Sequence, residues 1–212
     1  MKSTVYMHTV SHSHFNSKRD LNTLSYILKS GSLLSLRNQG YKHSSGFAGL
    51  DYISLCDYEK RHETNNGLLY YNAYYSYIRH GVSFAFDKDK IKEKYDVITP
   101  ELLDAIKYGE SIETYMQILG NEVKRYSDLP DEVQIKDKLF LTDICYLTYP
   151  CQDFFDSKII IKHESKRKKL AHELNEFKKV LLTYGYDLAI YDIDSKILLN
   201  EEGLEKVLSL KK

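Results

Sequence analysis

The alternation of apolar and polar residues along the chain predicts several β-strands. Residues 3–10, "STVYMHTV", alternate and are rich in β-branched side chains, which is typical of a strand. The stretch "DEVQIKDKLFLTDICYL" at 131–147 also alternates and predicts one or two strands. Three shorter stretches predict one strand each: "DYISLCD" (51–57), "VSFAFD" (82–87) and "YDLAIYDID" (186–194).

Apolar residues spaced three or four positions apart predict the helices. The first follows Asp20, a good N-cap, places Leu21, Leu24 and Leu28 on one side, and stops at Gly31. A longer helix over 165–182 carries one apolar stripe, formed by Leu170, Leu174, Phe177 and Leu181. Four further helices are predicted: 68–78, where a strand is the alternative, 99–109, 111–120 and 201–210.

Strands flanked by helices, without a regular βαβ alternation, indicate an α+β fold. A soft boundary lies at Tyr149–Pro150, because the chain before it is β-rich and the chain after it is mainly a basic helical extension. We therefore predict one domain over residues 1–150 and a C-terminal extension over 151–212 that packs on it. The charged run at 163–179 is interpreted as the solvated face of an amphipathic helix rather than a nucleic-acid-binding arm.

Composition narrows the class of protein further. Lys plus Arg equal Asp plus Glu at 30 each, so the net charge does not favour nucleic acid. Three cysteines are an odd number with no zinc-ligand spacing, which favours reduced thiols. No stretch reaches the roughly 20 apolar residues of a membrane helix, and no signal peptide is recognisable. A cytoplasmic protein is expected.

Three of the eight histidines, His8, His12 and His14, fall within seven residues. Zinc requires three or four ligands on a compatible scaffold, and no nearby cysteine completes such a set, so we expect no metal. His12 and His14 lie in a predicted polar loop. His8 lies near the end of the first strand, where it is either a half-buried structural histidine or part of a ligand pocket.

Four stretches in this order resemble the ADP-ribosyltransferase fold, in its histidine–tyrosine–glutamate branch. They are the strand with His8, the helix "LSYILKSGSLLS" (24–35), the strand "GLDYIS" (49–54) and the later strand that opens with Glu132. The helix is most similar to that of DarT-type toxins and related bacterial effectors, although Thr23 stands where that family often has Asn. The resemblance covers residues 3–149 and implies a split β-sheet core with flanking helices.

The resemblance implies that NAD is the substrate and that no metal takes part. His8 then contacts the adenosine-side ribose, and the main chain of Thr9 holds the nicotinamide amide. The family usually has Ser or Thr at the position of Val10, so Thr9 or Ser11 replaces that contact or it is lost.

The tyrosines in the corresponding region are Tyr52 on the strand and Tyr71, Tyr74 and Tyr75 on the following element, and the stacking tyrosine of the family is expected to be Tyr71 or Tyr74. With 19 tyrosines in the chain, core packing is the alternative for each of them. Arg37 is placed to contact a phosphate, with an ordinary surface arginine as the alternative.

Glu132 is the catalytic candidate that the resemblance implies. Breaking the bond between nicotinamide and ribose C1′ builds positive charge on the sugar, and a carboxylate beside it stabilises that charge. Alternation places Val133 and Ile135 toward the core and Glu132 and Gln134 on the other face. Other candidates for this carboxylate are Glu113, Glu122 and Asp131.

The resemblance therefore implies a mono-ADP-ribosyltransferase that modifies a macromolecular acceptor, either protein or nucleic acid. A bacterial toxin or an effector delivered into a host cell is the expected context. Two alternatives stay open: a non-catalytic module that binds a nucleotide or a protein, and an NAD glycohydrolase that uses water as the acceptor.

Overall fold

The computed structural model describes residues 1–2, 4–11, 18–42, 50–58, 81–98, 132–151 and 163–209 of the chain. The helices predicted at 68–78, 99–109 and 111–120 lie outside these residues. The described helices are α1 (Lys18–Ser30), α2 (Lys88–Lys94), α3 (His163–Thr183) and α4 (Glu201–Ser209). The strands are β1 (Val5–Ser11), β2 (Ser32–Leu34), β3 (Tyr52–Asp57), β4 (Val82–Asp87), β5 (Val97–Ile98), β6 (Glu132–Lys136), β7 (Lys138–Phe140), β8 (Ile144–Tyr149) and β9 (Ile190–Asp192).

The fold is a mixed α/β arrangement around one large, mostly antiparallel sheet. Seven strands form this sheet in the order β5-β6-β3-β1-β4-β8-β9, and the β8–β9 pair is parallel. The short strands β2 and β7 form a separate antiparallel pair. β9 follows residue 150 yet extends the sheet that contains β1. The proposed division of the chain at residue 150 stays a prediction.

The seven-stranded sheet is held together unevenly on the two sides of β1. β1 pairs with β4 from Val5 to Ser11 in six register pairs, but with β3 only at Tyr6–Asp57 and Met7–Cys56. In the described residues, a two-residue ladder joins β5-β6-β3 to β1-β4-β8-β9, and we call these two groups of strands the half-sheets.

All four described helices contribute to a hydrophobic cluster on one face of the sheet. Phe84, Phe86 and Tyr149 supply the sheet side of this cluster, and each is completely buried. The helix side is formed by Leu24 and Leu28 of α1, Ile91 of α2, the stripe of α3, and Leu204 and Val207 of α4. A second, smaller cluster lies on the opposite face and contains Val5, Met7, Cys56, Ala85 and Tyr146.

The apolar stripe predicted for the long helix is buried, as its spacing indicates. Leu170, Leu174, Phe177 and Leu181 are each at most 4% exposed and belong to the cluster on the sheet. On the polar side, the Lys178 ammonium donates to the carbonyl of Leu199 at 3.3 Å and that of Lys179 to Glu176 at 2.7 Å. No helix in the described part of the chain is both long enough and apolar enough to span a bilayer.

Two sequence predictions about element boundaries are wrong. The stretch 131–147 contains parts of three strands, because the backbone bends at Asp137, which has a φ of 63°, and turns again at Leu141–Asp143. Helix α1 begins at Lys18, so Asp20 lies inside its first turn and does not cap it. Gly31 ends α1 as predicted, with a φ of 65° and its amide donating to Leu28.

Adjacent leucines on α3 provide a matched test of this packing. Leu181 is 1% exposed and Leu182 is 58% exposed. Replacing Leu181 with Ala leaves a cavity in the main cluster, and we expect the free energy of unfolding to fall by about 2–5 kcal/mol in urea denaturation. Replacing Leu182 with Ala is expected to change it by less than about 0.5 kcal/mol. Equal effects at the two positions would contradict the described packing of α3.

Candidate functional site at the β1–β3 break

The ladder between β1 and β3 ends at Met7, and a side chain continues the connection. His8 Nδ1 lies 2.8 Å from the carbonyl oxygen of Ser54 on β3. A carbonyl oxygen only accepts hydrogen bonds, so Nδ1 carries the proton in this contact. We call the positions around this contact, His8 and Thr9 on β1 with Tyr52 and Ser54 on β3, the β1–β3 break.

Thr9 is positioned by β4 rather than by β3. Its Oγ1 lies 3.0 Å from Ser83 Oγ, and the register with β4 shifts immediately afterwards, between Thr9 and Ser11. Val10 is therefore the extra residue of a β-bulge, a feature that often occurs beside functional sites. The ladder between β1 and β3 ends at Met7, so the backbone groups of Thr9 on the side of β3 take no part in it.

Uncharged polar side chains continue this site across the sheet. Thr9 pairs with Ser83, Ser83 pairs with Thr148, and Ser54 pairs with Gln134 on the other side of the break. Ser83 and Thr148 are completely buried and Gln134 is 1% exposed. Among the described residues, Thr148 Oγ1 has no hydrogen-bond partner, although it is buried. Ser54, Ser83 and Thr148 were not among the residues predicted from the sequence, although hydroxyl side chains within apolar strands were the available indication.

Tyr52 and Arg37 lie together at the start of β3. Tyr52 is half-buried and pairs with Lys136 of β6. Asp51 directly precedes Tyr52 in the chain. The guanidinium of Arg37 donates to the carboxylate of Asp51 through Nε and through Nη2, the latter at 3.1 Å. This hydrogen-bonded ion pair keeps the pKa of Asp51 below its usual range. A phosphate at Arg37 would have to share the guanidinium with Asp51.

The turn that carries Arg37 is held by its own backbone. The Gly40 amide donates to the Arg37 carbonyl at 2.9 Å and the Tyr41 amide donates to Leu36 at 3.0 Å. Gly40 has a φ of 87°, which glycine adopts without the steric cost of a Cβ. The side-chain amide of Asn38 donates through Nδ2 to the Asp137 carbonyl at 3.1 Å. This hydrogen bond connects the turn with the bend between β6 and β7.

Glu132 is the first residue of β6, and its Cα is the register partner of Cys56. Cys56 in turn pairs with Met7, so Glu132 belongs to the row just before the break. The side chain of Glu132 lies outside the described residues. Val133 and Ile135 are buried in the main cluster, as their alternation predicts.

The other face of β6 is not open to solvent throughout. Gln134, which the alternation places away from the main cluster, is almost completely buried. Alternation therefore assigned Gln134 to the correct face but did not indicate that this face is covered at Gln134.

The strands that carry three of the predicted residues are direct neighbours in the order β6-β3-β1. Two strand spacings separate Glu132 from β1, so its Cα is about 10 Å from that of His8. The two residues do not share a row, because His8 lies one position beyond Met7. Tyr52 is four residues from Cys56 along β3, or about 13 Å from the Glu132 row.

Several predicted residues lie outside the described part of the chain. They are His12 and His14 of the polar loop, Tyr71 and Tyr74 as stacking candidates, and Glu113, Glu122 and Asp131 as alternatives to Glu132. Within the described residues, no three His, Cys, Asp or Glu side chains are grouped so as to hold a metal ion.

No protein-family model matches the sequence, and no curated protein matches it. Two solved structures of DarT from Thermus sp. 2.9 are similar to this chain. The complex with NAD+ has 13% sequence identity and the complex with carba-NAD+ has 11%. In both, the match covers 84% of this chain and 92% of the other chain, with a TM-score of 0.38. A likeness of this size carries no conclusion about activity.

The buried Thr148 hydroxyl gives a test of the polar row. Thr148→Val removes the unpartnered hydroxyl at nearly constant volume, so we expect the free energy of unfolding to rise by up to about 1–3 kcal/mol. Ser83→Ala deletes a hydroxyl that bonds Thr9, and is expected to lower it by about 0.5–1.5 kcal/mol. Denaturant unfolding of both variants checks this pair. A loss of stability in Thr148→Val would show that the hydroxyl has a partner in solution, such as an ordered water.

Proposed function

We propose that this protein is a mono-ADP-ribosyltransferase with a split-sheet core, which cleaves NAD and transfers ADP-ribose to a macromolecular acceptor. The supporting observation is the adjacency of β6, β3 and β1. Glu132, Tyr52 and His8 are far apart in sequence, yet they lie on three neighbouring strands. The strand spacings place their Cα atoms about 10–14 Å apart, which is of the size that a dinucleotide spans. Alternation puts Tyr52 and Glu132 on the face of the smaller cluster and His8 on the other face, so a ligand that reaches all three residues has to pass through the β1–β3 break.

The break between β1 and β3 supports the binding roles in this proposal. A strand edge without a ladder partner offers backbone N–H and C=O groups, and a carboxamide is complementary to both. Among the described strands, β3 forms no ladder with β1 at Thr9, and the edge of Thr9 on that side suits the nicotinamide amide. His8 contacts a ribose, Tyr52 stacks on a planar ring, and Arg37 contacts a phosphate while it remains paired with Asp51.

Glu132 carries the chemistry in this proposal. The bond between the nicotinamide nitrogen and ribose C1′ breaks, and the electron pair leaves with neutral nicotinamide. Positive charge spreads over C1′ and the ring oxygen, where a carboxylate stabilises it. The acceptor then forms a bond to C1′ and releases one proton. The products are nicotinamide, a proton and the ADP-ribosylated acceptor.

Incubation with NAD that carries separate labels on nicotinamide and on adenine tests the function. The protein should be incubated with a cell lysate, and the lysate should afterwards be separated into protein, nucleic acid and small molecules. We expect nicotinamide release together with adenine label on a macromolecule. Release of free ADP-ribose alone would identify an NAD glycohydrolase, and an absence of nicotinamide release would leave a non-catalytic binding module.

Replacing Glu132 with Gln should remove most of the transfer activity. The change keeps size and hydrogen-bonding capacity but deletes the charge, and loss of such an electrostatic contact costs roughly 10²–10³ in rate. Nicotinamide release under single-turnover conditions measures this loss. Glu93→Gln on the exposed side of α2 is the control and should have the wild-type rate. Near-normal turnover in Glu132→Gln would remove Glu132 from the catalytic role.

A further inference from the structure

The hydrogen bond from His8 to Ser54 lies where the short ladder between the two half-sheets ends. The half-sheet that carries Tyr52 and Glu132 is joined to the half-sheet that carries Thr9 by only two register pairs in the described residues. At the Asp57 end this joint is reinforced, because the Lys88 ammonium contacts both carboxylate oxygens of Asp57, at 3.0 and 2.8 Å. This ion pair is nearly buried, with side-chain exposures of 14% and 10%.

At the other end of the joint, the described contact across the break is the one from His8 Nδ1 to the Ser54 carbonyl. In a continued antiparallel ladder, a carbonyl that points at β1 would accept from the backbone of β1. The imidazole reaches the same acceptor from farther away, so it ties the strands together without closing the gap between them. The bulge at Val10 moves the following residues of β1 out of regular register.

From this geometry we infer that His8 is a positioning residue that fixes the width of the β1–β3 break through Nδ1. Its role is to set the distance between the free edge of Thr9 and the half-sheet with Tyr52 and Glu132. This role is additional to any ligand contact by the ring, and its catalytic consequence rests on the proposed transferase function. Displacing reacting groups by about 1 Å costs up to roughly 10² in rate, so the width matters for turnover.

Three substitutions at His8 separate its hydrogen bond to Ser54 from other functions of the ring. The amide nitrogen of Asn comes close to the position of Nδ1, whereas that of Gln comes close to the position of Nε2. His8→Asn therefore retains a donor for Ser54, while His8→Gln and His8→Ala do not retain it at that position. His172→Asn, on the exposed face of α3, is the matched control for replacing a histidine with Asn.

The first measurement, hydrogen exchange of the backbone amides of β3, does not depend on activity. We expect exchange at Ser54, Leu55 and Cys56 to be roughly three- to ten-fold faster in His8→Gln and His8→Ala, the effect of losing one hydrogen bond. In His8→Asn and in His172→Asn it should stay within about two-fold of wild type. Unchanged exchange in His8→Ala, or equal exchange in His8→Asn and His8→Gln, would overturn the inference.

The second measurement is the steady-state rate of nicotinamide release. We expect kcat to fall roughly 10–100-fold in His8→Gln and His8→Ala, and to be largely retained in His8→Asn even where the KM for NAD rises. Equal kcat in all three variants, despite altered hydrogen exchange, would show that the hydrogen bond from His8 to Ser54 has only a structural role. This result would overturn the positioning role of His8. Absence of nicotinamide release in the wild type would instead refute the proposed function, and the exchange pattern would still decide whether His8 sets the break.

Discussion

The structure depends on the central position of β1, which must be covered on both faces and paired on both edges. Val5 and Met7 are completely buried on one face, and Tyr6 is 2% exposed on the other. The pairing with β4 is extensive, while the pairing with β3 stops after two positions. Where this ladder stops, the backbone groups of β3 that face β1 beyond Met7 require other donors or acceptors. His8 provides one of these at Ser54.

The two faces of the sheet are covered by different kinds of side chain. One face is occupied by the apolar sides of all four described helices, and Tyr149 adds a hydrogen bond from its hydroxyl to Glu173 of α3 at 2.9 Å. The other face carries the smaller cluster and the uncharged row of Thr9, Ser83 and Thr148. Hydroxyl groups in such a row orient neutral polar groups, whereas the charged pair Arg37–Asp51 lies at the far end of β3.

Local pattern predicted the elements that depend on local physics. The strand at Val5–Ser11 and the buried stripe of α3 follow from alternation and from helical spacing, which act within a few residues. The two-residue ladder between β1 and β3 was not predictable, because register depends on pairing between segments about 50 residues apart. The burial of Gln134 was missed for the same reason, since alternation assigns a residue to a face but does not reveal whether that face is covered. The cap assigned to Asp20 failed because helix formation extends two residues further back, to Lys18.

The resemblance to the ADP-ribosyltransferase fold indicated Glu132, Tyr52 and His8 as candidates. The strand order and register of the sheet determine the distances between them. Since Glu132 belongs to the last row of the ladder and His8 to the first position beyond it, the change from paired to unpaired backbone falls between them. A ligand that reaches both residues must cross this change. In the row of Glu132, such a ligand would contact strands that are paired with each other. At Thr9 it would contact an edge of β1 that forms no ladder with β3 in the described residues. The width of the break therefore connects cofactor binding with the position of the carboxylate, which makes a single hydrogen bond at His8 more consequential than its own free energy of about 1 kcal/mol suggests.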